Sequence, residues 1–126
     1  MGADFVSLTP STSTHVCYST VTEIRGRLVA MLDESLGRMF SIQTYSHVMK
    51  EVENIVDASG DDIAQGVYYL LDHSDCDGEF DSEQSRCIAL ALKKLDEIEG
   101  HEDCRIANLI KVFDDAYIEG GIVVIW

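Results

Sequence analysis

The residues best suited to chemistry form one acidic segment, which runs from Asp72 to Gln84. Around Gly78 the segment follows the pattern of an EF-hand calcium loop, in which oxygen ligands occupy positions 1, 3, 5, 7, 9 and 12 and a glycine occupies position 6. With Gly78 at position 6, the carboxylates at positions 3, 5, 7 and 9 come from Asp75, Asp77, Glu79 and Asp81. One hypothesis is therefore a cation-binding domain whose degenerate EF-hand-like loop, residues 73–84, binds weakly through Asp75, Asp77 and Asp81.

The same register lacks the two strongest ligands of such a loop. Position 1 is His73 where a carboxylate is needed, and position 12 is Gln84 where a bidentate glutamate is needed. A turn whose aspartates accept hydrogen bonds from nearby backbone N–H groups explains the same residues without a metal. The sequence therefore does not predict a tight calcium site.

Two histidine–cysteine pairs at equal spacing, His73 with Cys76 and His101 with Cys104, have the residue types of a zinc site. A helix over residues 82 to 99 would separate them by about 27 Å, since an α-helix rises roughly 1.5 Å per residue. One zinc ion cannot bind both pairs at its short ligand distances. A site that combines His15 and Cys17 with one pair stays open, so Zn²⁺, like Ca²⁺, is an alternative to the expectation of no cofactor.

The cysteines do not predict catalysis. Cys76 beside His73 is the one cysteine–histidine pair on an expected surface loop, but the surrounding carboxylates disfavour its thiolate. Cys87 falls near the inward stripe of its expected helix and is predicted to be a core residue. The chain has no GxSxG, HExxH or phosphate-binding glycine-rich motif. We therefore expect no enzyme activity and, because no secretory signal is visible, reduced thiols in a cytoplasmic protein.

The acidic residues are distributed unevenly along the chain. The protein has 23 acidic and 9 Lys or Arg residues in 126, a formal net charge of −14. Residues 1–50 contain four of each sign, residues 51–126 hold 19 acids against 5 bases, and the stretch from Asp72 to Glu83 has no base. This charge argues against direct binding of nucleic acid, which needs clustered cations. It favours a basic protein surface as the partner, for example that of a nucleic-acid-binding protein.

The run His73-Ser-Asp-Cys-Asp-Gly-Glu-Phe80, followed by a capped helix that carries Cys87, resembles an HSDCDGE-like loop of small bacterial and phage-encoded proteins. The opening Met1-Gly-Ala-Asp-Phe5 is a second, partial likeness. Gln84 and Ser85 stand where that group tends to have an acid or a cysteine. The group has no established activity, so the resemblance implies a bacterial or phage origin and a role for the loop, but no mechanism.

The two chain ends have the patterns of strands. Residues 3–9 alternate between polar and apolar and predict a strand, followed by a surface loop over residues 9–14. Residues 122–126 are almost purely strand formers. We expect the two strands to pair within the chain. The open alternative is that the C-terminal strand pairs across a two-fold axis with a second copy instead of within the chain, which would give a homodimer.

Between these strands, apolar spacing and capping residues predict four or five helices. The best marked starts are the capping boxes Thr20-x-x-Glu23 and Asp81-x-x-Gln84. Residues 63–71 fit either a helix or a strand, because they combine helical spacing with a run of strand formers. The expected spans are 20–37, 41 or 44 to 60, 63–71, 81–100 and 103–120.

We therefore predict a single α+β domain over residues 1–126, mostly helical, in which four or five helices pack beside a small sheet of the N- and C-terminal strands. No run is long and apolar enough to predict a membrane span. The expected function is that of a non-catalytic acidic protein of the inhibitor or immunity (anti-defence) type. It is expected to bind a basic partner surface through its acidic C-terminal part, with the contact residues Asp72, Asp75, Asp77, Glu79 and Asp81.

Overall fold

The two chain ends meet at the centre of a four-stranded antiparallel sheet in the computed structural model, which describes residues 2–8, 11–72 and 78–125. The strands are β1 (Gly2–Leu8), β2 (Ser11–Cys17), β3 (Gly78–Phe80) and β4 (Val123–Ile125), and their order across the sheet is β2-β1-β4-β3. Phe5 of β1 lies opposite Thr14 of β2 and Ile125 of β4. The predicted pairing of the N- and C-terminal strands is confirmed.

One expectation for the strands is wrong. Residues 11–14 belong to β2 rather than to a surface loop, because threonine favours extended backbone and Thr12 Oγ1 donates to Asp115 Oδ2 at 2.5 Å. β4 has β1 on one side and β3 on the other, so it has no free edge for a second copy. Self-association stays a prediction, and β2 is the longer edge strand of the described sheet that would support it.

The described residues form six helices, one more than the upper expectation. The additional helix arises at Asp33, whose carboxylate accepts a hydrogen bond from the Leu36 N–H at 3.2 Å and so interrupts the predicted first helix. Residues 63–71 are helical. No helix of the described residues is long and apolar enough to cross a lipid bilayer. The helices are α1 (Tyr18–Leu32), α2 (Glu34–Met39), α3 (Tyr45–Ser59), α4 (Asp62–Leu71), α5 (Ser82–Ile98) and α6 (Cys104–Glu119).

Helix caps were predicted with mixed success. α1 begins at Tyr18 after Cys17, whose side chain makes no capping hydrogen bond, so Thr20 and Glu23 lie inside the helix instead of forming a box. The Asp81–Gln84 capping box of α5 is confirmed. The expected cap at Asp103 and the expected stop at Gly120 are both present in α6, where Gly120 adopts a left-handed φ of 68°.

The helices cover one face of the sheet. Ala3, Phe5 and Ser7 of β1 point toward this face and are buried. The Phe113 ring of α6 meets Phe5 and Phe80 edge-on, with ring centroids 6.2 and 5.4 Å away, so one aromatic cluster joins β1, β3 and α6. The opposite face carries exposed polar side chains, among them Asp4, His15 and Glu79.

Candidate protein-binding surface

Close contact between α4 and α5 sets the position of the candidate surface. Gly66 of α4 lies against the backbone of Cys87 and Ile88, so near that a side-chain carbon at Gly66 would overlap the Cys87 carbonyl. Glycine disfavours a helix in isolation, but here its missing side chain lets two helices touch through their backbones. Tyr68 and Tyr69, which follow in α4, are thereby held near the start of α5.

Side chains from two other helices hold the C-terminal end of α4. Arg25 of α1 is 3% exposed and donates from Nε and Nη2 to the Leu70 carbonyl at 3.1 and 2.9 Å. Tyr45, the first residue of α3, donates from its hydroxyl to the Leu71 carbonyl. These bonds satisfy carbonyls that a helix end leaves without intrahelical partners. They position the backbone immediately before Asp72.

Tyr68 is half-buried next to three carboxylates. Its hydroxyl donates to Glu53 Oε2 of α3 at 3.4 Å. Burial and then the charges of Asp72, Glu53 and Asp57 raise the pKa of Tyr68 above its ordinary value. The arrangement follows from helical spacing, because residues four apart, such as 53 with 57 and 68 with 72, share one face of a helix.

Tyr69 is half-buried beside a second group of carboxylates, and its ring centroid is 6.4 Å from that of Tyr68. Burial is the largest cause that raises the pKa of Tyr69, followed by the charges of Cys87, Asp81, Glu83 and Asp62. Asp81 and Glu83 stand at the start of α5, and Asp62 stands at the start of α4. The two tyrosines therefore lie between two acidic groups.

We call this surface the acidic tyrosine face. It comprises Tyr68 and Tyr69 with six flanking carboxylates, those of Glu53, Asp57, Asp62, Asp72, Asp81 and Glu83. Within the described part of the chain, Arg86 is the one cation that forms ion pairs with them, to Asp62 at 3.1 Å and to Glu83 at 2.6 Å. The other four carboxylates have no ion-pair partner among the described residues, so the face keeps a negative charge.

The structure brings two of the five predicted contact residues into this face. Asp72 is exposed beside Tyr68, and Asp81 is exposed beside Tyr69, where its Oδ1 also caps α5 by accepting from the Gln84 N–H at 2.8 Å. Glu79 lies apart from them, on the uncovered face of the sheet opposite Val124. The remaining two, Asp75 and Asp77, lie outside the described residues.

Two acidic residues around the α5–α6 turn, Glu99 and Asp103, are paired with arginines instead. Arg27 of α1 forms ion pairs with Glu99 and, at 3.0 Å, with Asp103, while Arg105 pairs with Asp103 at 2.8 Å. The hydrogen bonds from Arg105 and Arg27 hold the pKa of Asp103 far below its ordinary value, although burial opposes them. Because these charges compensate one another, the cluster ties α1 to α6 and is not a second acidic patch.

The described part of the chain offers no metal centre. Residues 2–8, 11–72 and 78–125 contain no group of three or more His, Cys, Asp and Glu side chains that could hold a metal ion. Of the three predicted weak ligands, Asp75, Asp77 and Asp81, only Asp81 is described, and one of its oxygens caps α5. Cys17 and Cys104 are exposed free thiols, and Cys87 is buried as predicted. His73 and Cys76 lie outside the described residues.

As contact residues, sequence reasoning missed the two tyrosines and four of the six carboxylates, those of Glu53, Asp57, Asp62 and Glu83. It weighed acidic residues that are close together in sequence, whereas α3 contributes its carboxylates through the packing of α3 on α4. A usable signal was present: in a helical reading of residues 63–71, Tyr68 and Asp72 share a face. The strand-forming character of the tyrosines hid this spacing.

No protein-family model matches the chain, and no match was found among curated proteins or solved structures. The resemblance to bacterial and phage proteins with an HSDCDGE-like loop therefore stays a prediction. The proposed function rests on the residues and contacts described above.

Proposed function

We propose that the protein is a non-catalytic acidic binding module of the inhibitor or immunity type, of bacterial or phage origin, that engages a basic surface on another protein. The acidic tyrosine face supports this proposal. Its six carboxylates flank two half-buried tyrosines, and only Asp62 and Glu83 form ion pairs within the described residues. The contact residues of the proposal are those of the face, with Asp75, Asp77 and Glu79 as predicted additions from the sequence.

The two residue types of the face have complementary roles in recognition. Tyrosine is enriched at protein interfaces because it combines a large apolar ring with a hydroxyl that stays hydrogen-bonded. Carboxylates form strong hydrogen bonds with guanidinium groups, and a tyrosine ring can also stack against an arginine. A face with both types is suited to an arginine- or lysine-rich surface.

The distribution of charge supports a partner that itself binds nucleic acid. Clustered carboxylates on a rigid surface can compete with phosphates for a cationic groove, and the field of a net charge of −14 speeds the approach of a basic partner. The free thiols of the described cysteines fit a reducing compartment, so we further propose that the protein acts in the cytoplasm.

The proposal is tested with a short arginine-rich peptide as the probe and its citrulline counterpart, which is nearly isosteric but neutral, as the control probe. The variant of the face is Glu53→Gln/Asp57→Asn/Asp72→Asn. The matched control is Glu97→Gln/Glu102→Gln/Glu119→Gln, which removes the same charge from exposed positions outside the face.

Affinity for the arginine peptide, measured by calorimetry, should fall about tenfold in the variant of the face, since exposed ion pairs contribute about 0.2–1 kcal/mol each. The control should lose less than about twofold by weaker long-range attraction. The salt dependence of binding should also fall in the variant of the face. Equal losses in both variants would mean that only net charge matters, which contradicts the proposal.

A further inference from the structure

β2 is an edge strand whose outer side has no strand partner among the described residues. The Leu8 N–H of β1 donates to the Ile122 carbonyl at 3.1 Å, so the backbone groups of Leu8 point toward β4. Because this direction alternates along antiparallel strands, β1 turns its odd-numbered residues toward β2, and β2 turns Ser13 and His15 away from β1. These two residues therefore offer their N–H and C=O groups to another strand.

The sequence of β2 does not block such pairing. Edge strands are commonly protected by charged side chains, by proline or by a bulge. The seven residues of β2 include no Lys, Arg, Asp, Glu or Pro, and they pair with β1 without a bulge. The imidazole of His15 lies against Asp4 of β1, with Nδ1 2.6 Å from Oδ1. β2 also belongs to residues 1–50, in which acids and bases balance, so the excess of acids in the sequence does not lie on this strand.

We propose that β2 pairs antiparallel with β2 of a second copy, which joins two four-stranded sheets into one sheet of eight strands. A two-fold axis at Thr14 pairs all seven residues, so that Thr14 lies opposite itself and Ser13 lies opposite His15 of the second copy. The outward N–H and C=O groups of Ser13 and His15 then bond across the axis. This edge is formed by β2 and α6, whereas the acidic tyrosine face belongs to α3, α4 and α5, so the proposal does not depend on the proposed function.

The position of α6 fits a second copy. α6 packs on β1 and β2 and runs opposite to β2: Asp115, near the end of α6, accepts a hydrogen bond from Thr12, and Arg105, near its start, donates to Thr20 just beyond β2. Since strands are about 4.8 Å apart and α6 lies under the two outermost strands, the axis places the two α6 helices antiparallel and about 10 Å apart. Helices pack at about this distance, so the α6 helices meet when the strands pair.

The charges of α6 match those of an antiparallel copy. Its bases lie in its first half and most of its acids in its second half; they are Arg105 and Lys111, and Asp114, Asp115 and Glu119. The level of Thr14, taken between the contacts of α6 with Thr12 and Thr20, falls near the middle of α6, which brings Lys111 beside Asp115 of the second copy. Lys111 is exposed and has no ion-pair partner within the described part of the chain. It precedes Asp115 by four residues, so it lies on the side of α6 that meets Thr12.

The experiment measures dimer formation by sedimentation velocity over a range of protein concentrations, with a thiol reductant present. Ser13→Pro removes the outward N–H of Ser13 but no hydrogen bond to β1, and proline is tolerated at such a position of an edge strand. Ser13→Ala keeps this N–H and is the matched control. Lys111→Glu tests the contact between the α6 helices. Lys50→Glu is its control, because Lys50 of α3 is also exposed and undergoes the same change of charge.

We expect the parent protein to form a dimer as its concentration rises. Ser13→Pro and Lys111→Glu should each raise the dissociation constant at least about tenfold, because two-fold symmetry removes every contact twice, whereas the controls should change it less than about twofold. A parent protein that stays monomeric at millimolar concentration would overturn the proposal, even if it binds an extended peptide of another sequence. A dimer that persists unchanged in folded Ser13→Pro would also overturn it, and equal effects of Lys111→Glu and Lys50→Glu would contradict the placement of the axis.

A disulfide tests the register independently of whether Ser13→Pro folds. The starting protein keeps Cys87, which is buried, and carries serine at the other cysteines. Thr14→Cys should form a disulfide-linked dimer on mild oxidation, because opposite residues of a non-hydrogen-bonded pair have Cα atoms about 4.5 Å apart, within the range of disulfides. In Thr12→Cys the two cysteines are four residues out of register, about 13 Å apart, and should stay unlinked. Equal linking at both positions would contradict the proposed pairing.

Discussion

Replacing Gly66 by alanine should destabilise the protein, whereas the same replacement at Gly26 should not. Both glycines lie inside helices, α4 and α1, where alanine is favoured over glycine by about 1 kcal/mol. The substitutions therefore share their effect on helix propensity. They differ in what the new methyl group meets.

The expected magnitude follows from those neighbours. At Gly66 the methyl carbon would overlap the Cys87 carbonyl and lie 3.0 Å from Ile88 N, and backbone atoms cannot rotate away. Overpacking lowers the free energy of unfolding by about 1–3 kcal/mol, and we take 3 kcal/mol because the obstacle is backbone. The better helix propensity of alanine returns about 1 kcal/mol, which leaves a net loss of about 2 kcal/mol. At Gly26 the nearest atom is Cδ2 of the half-buried Phe40 ring at 3.3 Å, which can turn. Gly26→Ala should therefore raise the free energy of unfolding by between zero and about 1 kcal/mol.

Thermal unfolding followed by circular dichroism measures both variants. A change of 1 kcal/mol shifts the Tm of a domain of this size by about 4 °C, so Gly66→Ala should lower Tm by roughly 8 °C. Gly26→Ala should raise it by at most about 4 °C. A Gly66→Ala protein as stable as Gly26→Ala would refute the backbone contact of α4 with α5, and with it the position given to Tyr69.

Three further changes test other parts of the structure. Ser85→Ala should raise the free energy of unfolding by about 1 kcal/mol in urea melts, since the buried hydroxyl has no hydrogen-bond partner among the described residues; a loss would contradict this. Arg25→Met should lower the free energy of unfolding by about 2 kcal/mol, because the Leu70 carbonyl loses a charged hydrogen-bond donor. An unchanged free energy of unfolding would contradict a stabilising role of these hydrogen bonds. The pKa of Asp103 is lower in the folded protein than in the unfolded chain. The ionised carboxylate therefore stabilises the fold above the pKa of the unfolded chain, and this stabilisation is lost as the pH falls below about 4. Urea melts across this range should therefore show a smaller acid-induced loss in Asp103→Asn than in the parent.

Much of the fold follows from local patterns in the sequence. The chain ends contain strand formers, and pairing them hides apolar edges, which is why their union could be predicted. The start of α5 could be predicted because Asp81 and Gln84 satisfy each other's backbone at a fixed spacing. The break at Asp33 was missed because the apolar stripe continues across it into Leu36, so periodicity alone shows one helix.

The candidate surface was less accessible to prediction, because contacts between helices create it. The acidic segment pointed to Asp72 and Asp81, but the tyrosines between them depend on a helical α4 that packs closely on α5 through Gly66. Similarly, Asp4 and His15 meet because β2, which begins within the predicted loop of residues 9–14, pairs with β1. Long-range packing of this kind leaves no local pattern in one sequence.

The most direct test of the central claim is to map the arginine-rich peptide on the protein by two-dimensional ¹H–¹⁵N NMR. We expect the largest chemical-shift changes at the backbone amides of α3 and α4 around Glu53, Asp57, Tyr68, Tyr69 and Asp72, and at the start of α5. The Arg27–Asp103 cluster should change little, because its charges are already paired. Largest changes at that cluster or on the uncovered face of the sheet, with α4 unaffected, would contradict the account.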